Sequence, residues 1–140
     1  MKYQYFISSR WRNRDAVLEL TRKLREKGKT VYCFFEAPHA KHRIDHNPNV
    51  DMEEFEKRDW RKDAYVKEVF ENDLQAENES ENFVLLLPAG KSAHIEAGIA
   101  YGMGKKCILI GQQKEAESLY RIFTESHNTI DDFITSLAKD

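Results

Sequence analysis

Between Phe83 and Gly111 the chain reads strand, tight loop, helix, strand, and few folds accept that order at that spacing. Phe83 to Leu87 is a continuous apolar run of strand length, as expected of a strand covered on both faces. Pro88-Ala89-Gly90 breaks the run, and Ser92 is placed to cap a new helix. Ile95, Ile99 and Met103 follow at intervals of four, with Ala100 beside them, which predicts the apolar face of that helix. Gly102 and Gly104 end it, and Lys105 and Lys106 suit the negative end of its dipole. Cys107 to Ile110 is a second buried strand. Such a unit is a right-handed βαβ crossover by default. Its loop lies at the carboxyl end of a parallel strand, where open α/β sheets bind ligands.

Glu96 stands out in this unit, because its helix is otherwise built of Ala, Ile, Gly, His and Tyr. One reading is a capping box, but Ser92 to Glu96 is one residue too long for it. A second is a favourable charge near a helix N-terminus. The functional reading is a carboxylate held ionised by the helix amides and aimed into a cleft, as a nucleophile on a sugar carbon must be.

A length of 140 residues fits one domain, large enough for a sheet with helices on both faces. The hydrophobic fraction is 41% and the charged fraction 33%, which describes a globular chain with a heavily charged surface. With 22 basic and 24 acidic residues the net charge is −2, so no basic excess points to a nucleic-acid polymer as partner. No run is long enough to span a membrane and no signal-peptide pattern is present, so no membrane role is expected. Cys33 and Cys107 both fall in buried-strand patterns, which implies reduced thiols and a cytoplasmic location.

Taken in order, Tyr3 to Ile7 reads as a first strand, followed by the loop Ser8-Ser9-Arg10-Trp11-Arg12-Asn13. A helix is expected from about Arg14 to Lys27, with Val17, Leu20 and Leu24 on one face and Gly28 at its end. Arg10, Arg12 and Arg14 crowd the N-terminal end of that helix, where positive charge is unfavourable by about 0.3–1 kcal/mol each. Helix amides, the hydroxyls of Ser8 and Ser9 and these guanidinium groups together make an anion site, and phosphate is the usual anion. The alternative is that the arginines splay into solvent and pair with acidic neighbours. Trp11 in the same loop either stacks on a base or covers the core edge.

Thr30 to Phe35 reads as the second strand. Glu36 to Val50 is a long polar connection, expected to be a lid over the neighbouring cleft. It carries His39, His42 and His46, whose spacing matches no closed zinc pattern, so no metal is expected. Asp51 to about Asn78 reads as helix, broken near Arg61-Lys62-Asp63. Its second half places Val66, Val69 and Phe70 on one face, and Asp73 falls on that same face. Asp73 is then either a half-exposed residue one turn past the core or a second catalytic carboxylate, kept protonated by desolvation or by Glu96. Lys114 to Phe123 reads as a further helix, Thr124 to Thr129 as an edge strand, and Ile130 to Ala138 as a final amphipathic helix. The order argues for a flavodoxin-like doubly wound sheet of five parallel strands in the order 2-1-3-4-5.

Two blocks carry a resemblance. Tyr5-Phe6-Ile7-Ser8-Ser9, and the strand followed by Pro88-x-Gly90, then Glu96-x-Gly98-x-Ala100 and Gly104-Lys105, resemble the nucleoside 2-deoxyribosyltransferase family and its deoxynucleoside 5′-monophosphate N-glycosidase members. The match covers residues 83–111 well and about the first 35 weakly. By motif, the resemblance implies that Glu96 is the nucleophile attacking C1′ and that Tyr5 is the strand-end tyrosine positioning it. It implies that Asp73 contacts the sugar and the leaving base. It also implies that phosphate is held by Ser8, Ser9, Arg10 and Arg12 and by Gly90, Lys91 and Ser92. Members complete each site with a residue of a neighbouring subunit, which implies a homodimer or higher oligomer with Ser118 in that role. No cofactor is implied, and the expected ligand is a small nucleoside or nucleotide.

Two other readings compete. Phe6-Ile7-Ser8, the first helix and the strand at Val31 resemble the opening of TIR-like NAD glycohydrolases. A sensor that binds nucleotides without cleaving them would keep the phosphate features and have no need of Glu96 or Asp73.

Overall fold

The computed structural model describes residues 1–40, 47–115 and 117–137. Five strands form one sheet in the order β2-β1-β3-β4-β5, and every neighbouring pair is parallel. They are β1 (Tyr3–Ser8), β2 (Val31–Cys33), β3 (Ser80–Leu86), β4 (Lys106–Ile110) and β5 (Glu125–His127). The helices are α1 (Arg14–Glu26), α2 (Pro48–Glu56), α3 (Ala64–Asn78), α4 (Lys91–Gly102) and α5 (Ile130–Leu137). This is the flavodoxin-like doubly wound arrangement that the alternation of elements predicts.

β1 divides the core. Successive side chains of a strand point to opposite faces. Tyr5 and Ile7 accordingly pack with Leu20 and Leu24 of α1 and Phe133 of α5. Phe6 packs the other way, with Phe83 and with Ala93 and Ala97 of α4. Leu20, Leu24 and Phe133 are fully buried, and each contributes about 1.5–3 kcal/mol relative to exposure. Gly111 closes the central unit at φ +96°, and a Cβ there would lie 3.0 Å from the Leu87 carbonyl oxygen, so only glycine fits. Among the described residues no helix is long and apolar enough to cross a membrane.

Several elements differ from the sequence expectation. α4 does not bury Ile95, Ile99 and Met103. It packs through Ala93, Ala97 and Ala100, leaving Ile95 64% exposed and Met103 41% exposed. Methyl-sized side chains let the helix backbone come close to the sheet, which larger residues on that face would prevent. Ser92 is not the cap: Gly90 takes that position, and no side chain caps the helix. β2 ends at Cys33, and Phe34–Glu36 form a 3-10 turn.

The middle of the connection 36–50, on which the expected lid falls, lies outside the described residues, while α2 begins at Pro48 with the Asn47 side chain accepting from the Asn49 N–H at 2.9 Å. Proline at the first helical position and asparagine at the cap are both favoured there. The long helix is broken as expected, and Asp63 caps α3 by accepting from Tyr65 and Val66. Phe70 is exposed, whereas Ala76 and Glu77 are buried on α3. Among the described residues of 114–123 only Ser118–Ile122 is helical, as a 3-10 turn, because the chain becomes extended at Phe123 to feed β5.

Candidate active site

The crevice lies at the carboxyl ends of β1 and β3, the neighbours from which the strand order runs in both directions. It opens into a cavity of about 500 Å³. Glu96 and Asp73 face it from α4 and α3. Gly90, Lys91 and Ser92 line it at the start of α4, and Ser9, Arg10 and Trp11 line it from the loop after β1. Asp51, Met52 and Phe55 of α2 form a further wall.

Each carboxyl has a hydroxyl donor. Ser8, buried at the end of β1, donates to Glu96 Oε1 at 2.6 Å. The Tyr32 phenol of β2 donates to Asp73 Oδ1 at 3.0 Å. Phe6 stacks on Tyr32 with ring centroids 5.1 Å apart, which fixes the phenol on this face of the sheet. Burial pushes Glu96 up to about 8, the charge of Asp73 adds to the shift, and the Ser8 hydrogen bond opposes it. Burial likewise raises Asp73 to about 6, against the Tyr32 hydrogen bond.

Burial beside a like charge favours the protonated form of Glu96, against the expectation that the helix amides hold it ionised. Glu96 lies beyond the first turn of α4, and desolvation beside a like charge outweighs the dipole. Near neutral pH the two carboxyls together hold about one proton. Moving that proton from Glu96 to Asp73 produces a carboxylate and an acid within the same cavity.

The other sequence candidates are distributed as follows. Tyr5 packs in the core cluster of α1 and α5, edge-on to Phe133 at 5.8 Å. The strand parity that turns Tyr5 away turns Ser8 toward Glu96, so Ser8 is engaged by the carboxylate and not by an open anion site. Ser9 lines the cavity, but its hydroxyl donates to the Leu86 carbonyl at 2.8 Å and accepts from Asn13 at 3.0 Å, tying the first loop to β3. Arg12 does not line the cavity; its Nε donates to Asn49 Oδ1 at 2.8 Å. Trp11 lines the cavity, packs on Phe35 at 4.3 Å and donates to Asp51 Oδ2 at 3.3 Å.

Arg10, exposed at the rim, and Lys91 and Ser92 at the uncapped start of α4 remain together as the anion-facing groups. Ser118 does not line the cavity of its own chain and donates to Glu117 at 2.9 Å. His39 is buried, its Nδ1 3.1 Å from the Asn72 amide, while His42 and His46 lie outside the described residues. Among the described residues no group of three or more histidine, cysteine or acidic side chains is placed to hold a metal.

Sequence reasoning missed Tyr32 and the α2 wall. Tyr32 had a signal: it is second in a short strand ending at the same sheet edge. The wall had none, because its orientation depends on contacts made by Trp11 and Arg12 far earlier in the chain.

Fold and site together define a doubly wound α/β protein with paired carboxyls in the crevice beside its central strands. No protein-family model and no curated protein sequence matches the chain. Among solved structures, the CMP N-glycosidase BcmB of Clostridium botulinum is similar in fold over 96% of this chain and 97% of its own. The TM-score is 0.57 and the sequence identity 19%, a likeness that establishes the shared fold.

Proposed function

We propose that this protein is an enzyme that cleaves the N-glycosidic bond of a nucleoside 5′-monophosphate, with Glu96 as nucleophile and Asp73 as acid. The observation that carries the reading is the pairing of Glu96 with Asp73 in one cavity, each held by a hydroxyl. The reaction named for the fold neighbour, cleavage of CMP, supports the same reading.

Bond breaking passes through an oxocarbenium-like state, which a carboxylate beside the ring stabilises and can trap. Glu96 attacks C1′, the C1′–N bond breaks, and its electron pair leaves with the base, which takes the proton of Asp73. Water then attacks C1′ of the glycosyl ester. Its proton passes to Asp73, and Glu96 departs as a carboxylate. A second base in place of water gives transfer, and the neighbour's hydrolytic name favours water. Arg10, Lys91 and the free amides at the start of α4 hold the 5′-phosphate. The aromatic wall of Trp11, Phe34 and Phe55 takes the base.

We place the protein in the cytoplasm as a homodimer or higher oligomer. Two buried free cysteines support the first statement. Exposed Ile95, Tyr101, Met103 and Leu119 support the second, and light scattering reads it directly.

The test is a chromatographic assay for free base over deoxynucleosides, ribonucleosides, their 5′-monophosphates and NAD, with and without acceptor base. Base release from a monophosphate, reduced at least about 1000-fold in Glu96→Ala, is the expected result. Arg10→Ala is expected to weaken the monophosphate about tenfold and the nucleoside hardly at all. Tight binding without turnover in wild type, unaltered in Glu96→Ala, would make the protein a sensor instead.

A further inference from the structure

Glu77 has no place in the steps above, and it is the least expected side chain in the protein. It is 1% exposed, and its Oε2 has no hydrogen-bond partner among the described residues. Carboxyls are almost never buried this way without a partner, and each such group calls for an explanation. It sits on α3 four residues after Asp73, which places the two on one face of the helix a single turn apart. A row of three carboxyls therefore runs from the interior to the cavity: Glu77, Asp73, Glu96.

Resting on the reading of Glu96 and Asp73 as the reacting pair, we propose that Glu77 is a positioning residue for them: an inner carboxyl whose charge controls how firmly the outer two hold their shared proton. Asp73 acts on Glu77, and Asp73 and Glu77 both act on Glu96, as like charges do. Burial is the larger cause of its own rise to about 8, so it is neutral while the pair works near neutral pH. The opposing group is Lys105, whose ammonium draws Glu77 down and donates to the carbonyls of Asn78 and Ser80. From β4 the Cys107 thiol faces the same space and is raised in turn by Glu77. From β2 the Tyr32 phenol faces Asp73 and is raised by burial and by Asp73.

The consequence is directional. As pH rises toward 8, Glu77 begins to ionise, and its negative charge makes the last proton of the pair, which Glu96 holds at rest, harder to lose. The acid of the pair thus survives to a higher pH than it would alone. A glutamine in place of Glu77 keeps the shape and removes the charge.

The experiment is Glu77→Gln, read in two ways. Carboxyl carbon resonances of Asp73 and Glu96, followed by pH titration in folded wild type and variant, test the coupling without any substrate. The upper of their two midpoints is expected to fall by about half a pH unit or more in the variant, while the lower one, passed with Glu77 still neutral, stays in place. The pH profile of kcat/KM is expected to lose its alkaline limb at correspondingly lower pH, with the maximum rate within about threefold of wild type. Unmoved midpoints overturn the proposal, as does a uniform rate loss with an unshifted profile, which marks a purely structural residue. If Glu77→Gln does not fold, the wild-type titration decides alone: a Glu77 midpoint near the ordinary 4.5, or a Glu96 resonance with no inflection where Glu77 titrates, overturns the proposal, and a shared two-step titration of Glu77 and Glu96 upholds it. Coupling by resonance in a protein that releases no base would leave this proposal standing and overturn the proposed function.

Discussion

Ser8 at the end of β1 donates to Glu96 of α4 across 88 residues of chain at 2.6 Å. A hydrogen bond to a charged acceptor is worth about 1.5–3 kcal/mol, and it favours the ionised carboxylate. Ser8→Ala removes it. On the proposed reading kcat/KM falls by about 10- to 100-fold. The sign of the accompanying shift is fixed: without the donor Glu96 holds its proton more firmly, so the acid limb of the rate profile moves to higher pH. A limb that stays in place would show that Ser8 only fills space. Tyr32 offers the parallel case, since its phenol stabilises ionised Asp73 and thereby restrains the rise that burial causes. These two hydroxyls keep the pair within reach of neutral pH.

At the level of elements, α4 and α2 do different work. α4 presents alanines to the sheet and so brings Glu96 close to the end of β1. α2 is held across the cavity by polar ties to the loop after β1, Trp11 to Asp51 and Arg12 to Asn49. Trp11→Phe keeps an aromatic ring against Phe34 and Phe35 but removes the N–H that holds Asp51. Losing one such tie costs about 0.5–1.5 kcal/mol, so KM is expected to rise about 2- to 10-fold. A kcat within about twofold of wild type would place the effect in binding, and a kcat that falls with KM unchanged would contradict the assignment of α2 as a wall for substrate.

Across the whole molecule, three buried carboxyls make stability depend on pH in the direction opposite to that of a surface ion pair. Glu96 and Glu77 are raised from 4.5 to about 8 and Asp73 from 3.8 to about 6. The folded state then binds more protons than the unfolded chain between about pH 4 and 8, so these groups stabilise fully below about pH 4 and the contribution is lost as pH rises through the folded values. Depressed acids such as Asp63 and Glu125 act the other way, their contribution being lost as pH falls. Tm of wild type is expected to decline from about pH 6 to 9, and that of Glu96→Gln to decline less and to exceed wild type by several degrees at pH 9. Parallel curves in a thermal scan would refute the burial account of Glu96. A variant more stable than the native protein is the usual mark of a site that keeps a costly group for its chemistry.

What the sequence determined by itself is the sheet and the place of Glu96 in it. Runs such as Phe83 to Leu87 and Cys107 to Ile110 are too apolar to face water on either side, which argues for a covered parallel sheet, and the alternation of strands and helices matches the observed order. The break at Pro88-Ala89-Gly90 then places Glu96 early in a helix at the carboxyl end of a central strand. Only the tertiary structure decided what touches Glu96. A period of two says that Tyr5 and Ser8 face opposite ways, and only α4 docking on one face says that Ser8 is the one that meets the carboxylate. A period of 3.6 allowed α4 both an isoleucine face and an alanine face, and packing close to the sheet chose the smaller. The row Glu77, Asp73, Glu96 and the wall made by α2 arise from elements brought together across long stretches of chain. Their pKa shifts and their enclosure come from burial, which a linear pattern does not contain.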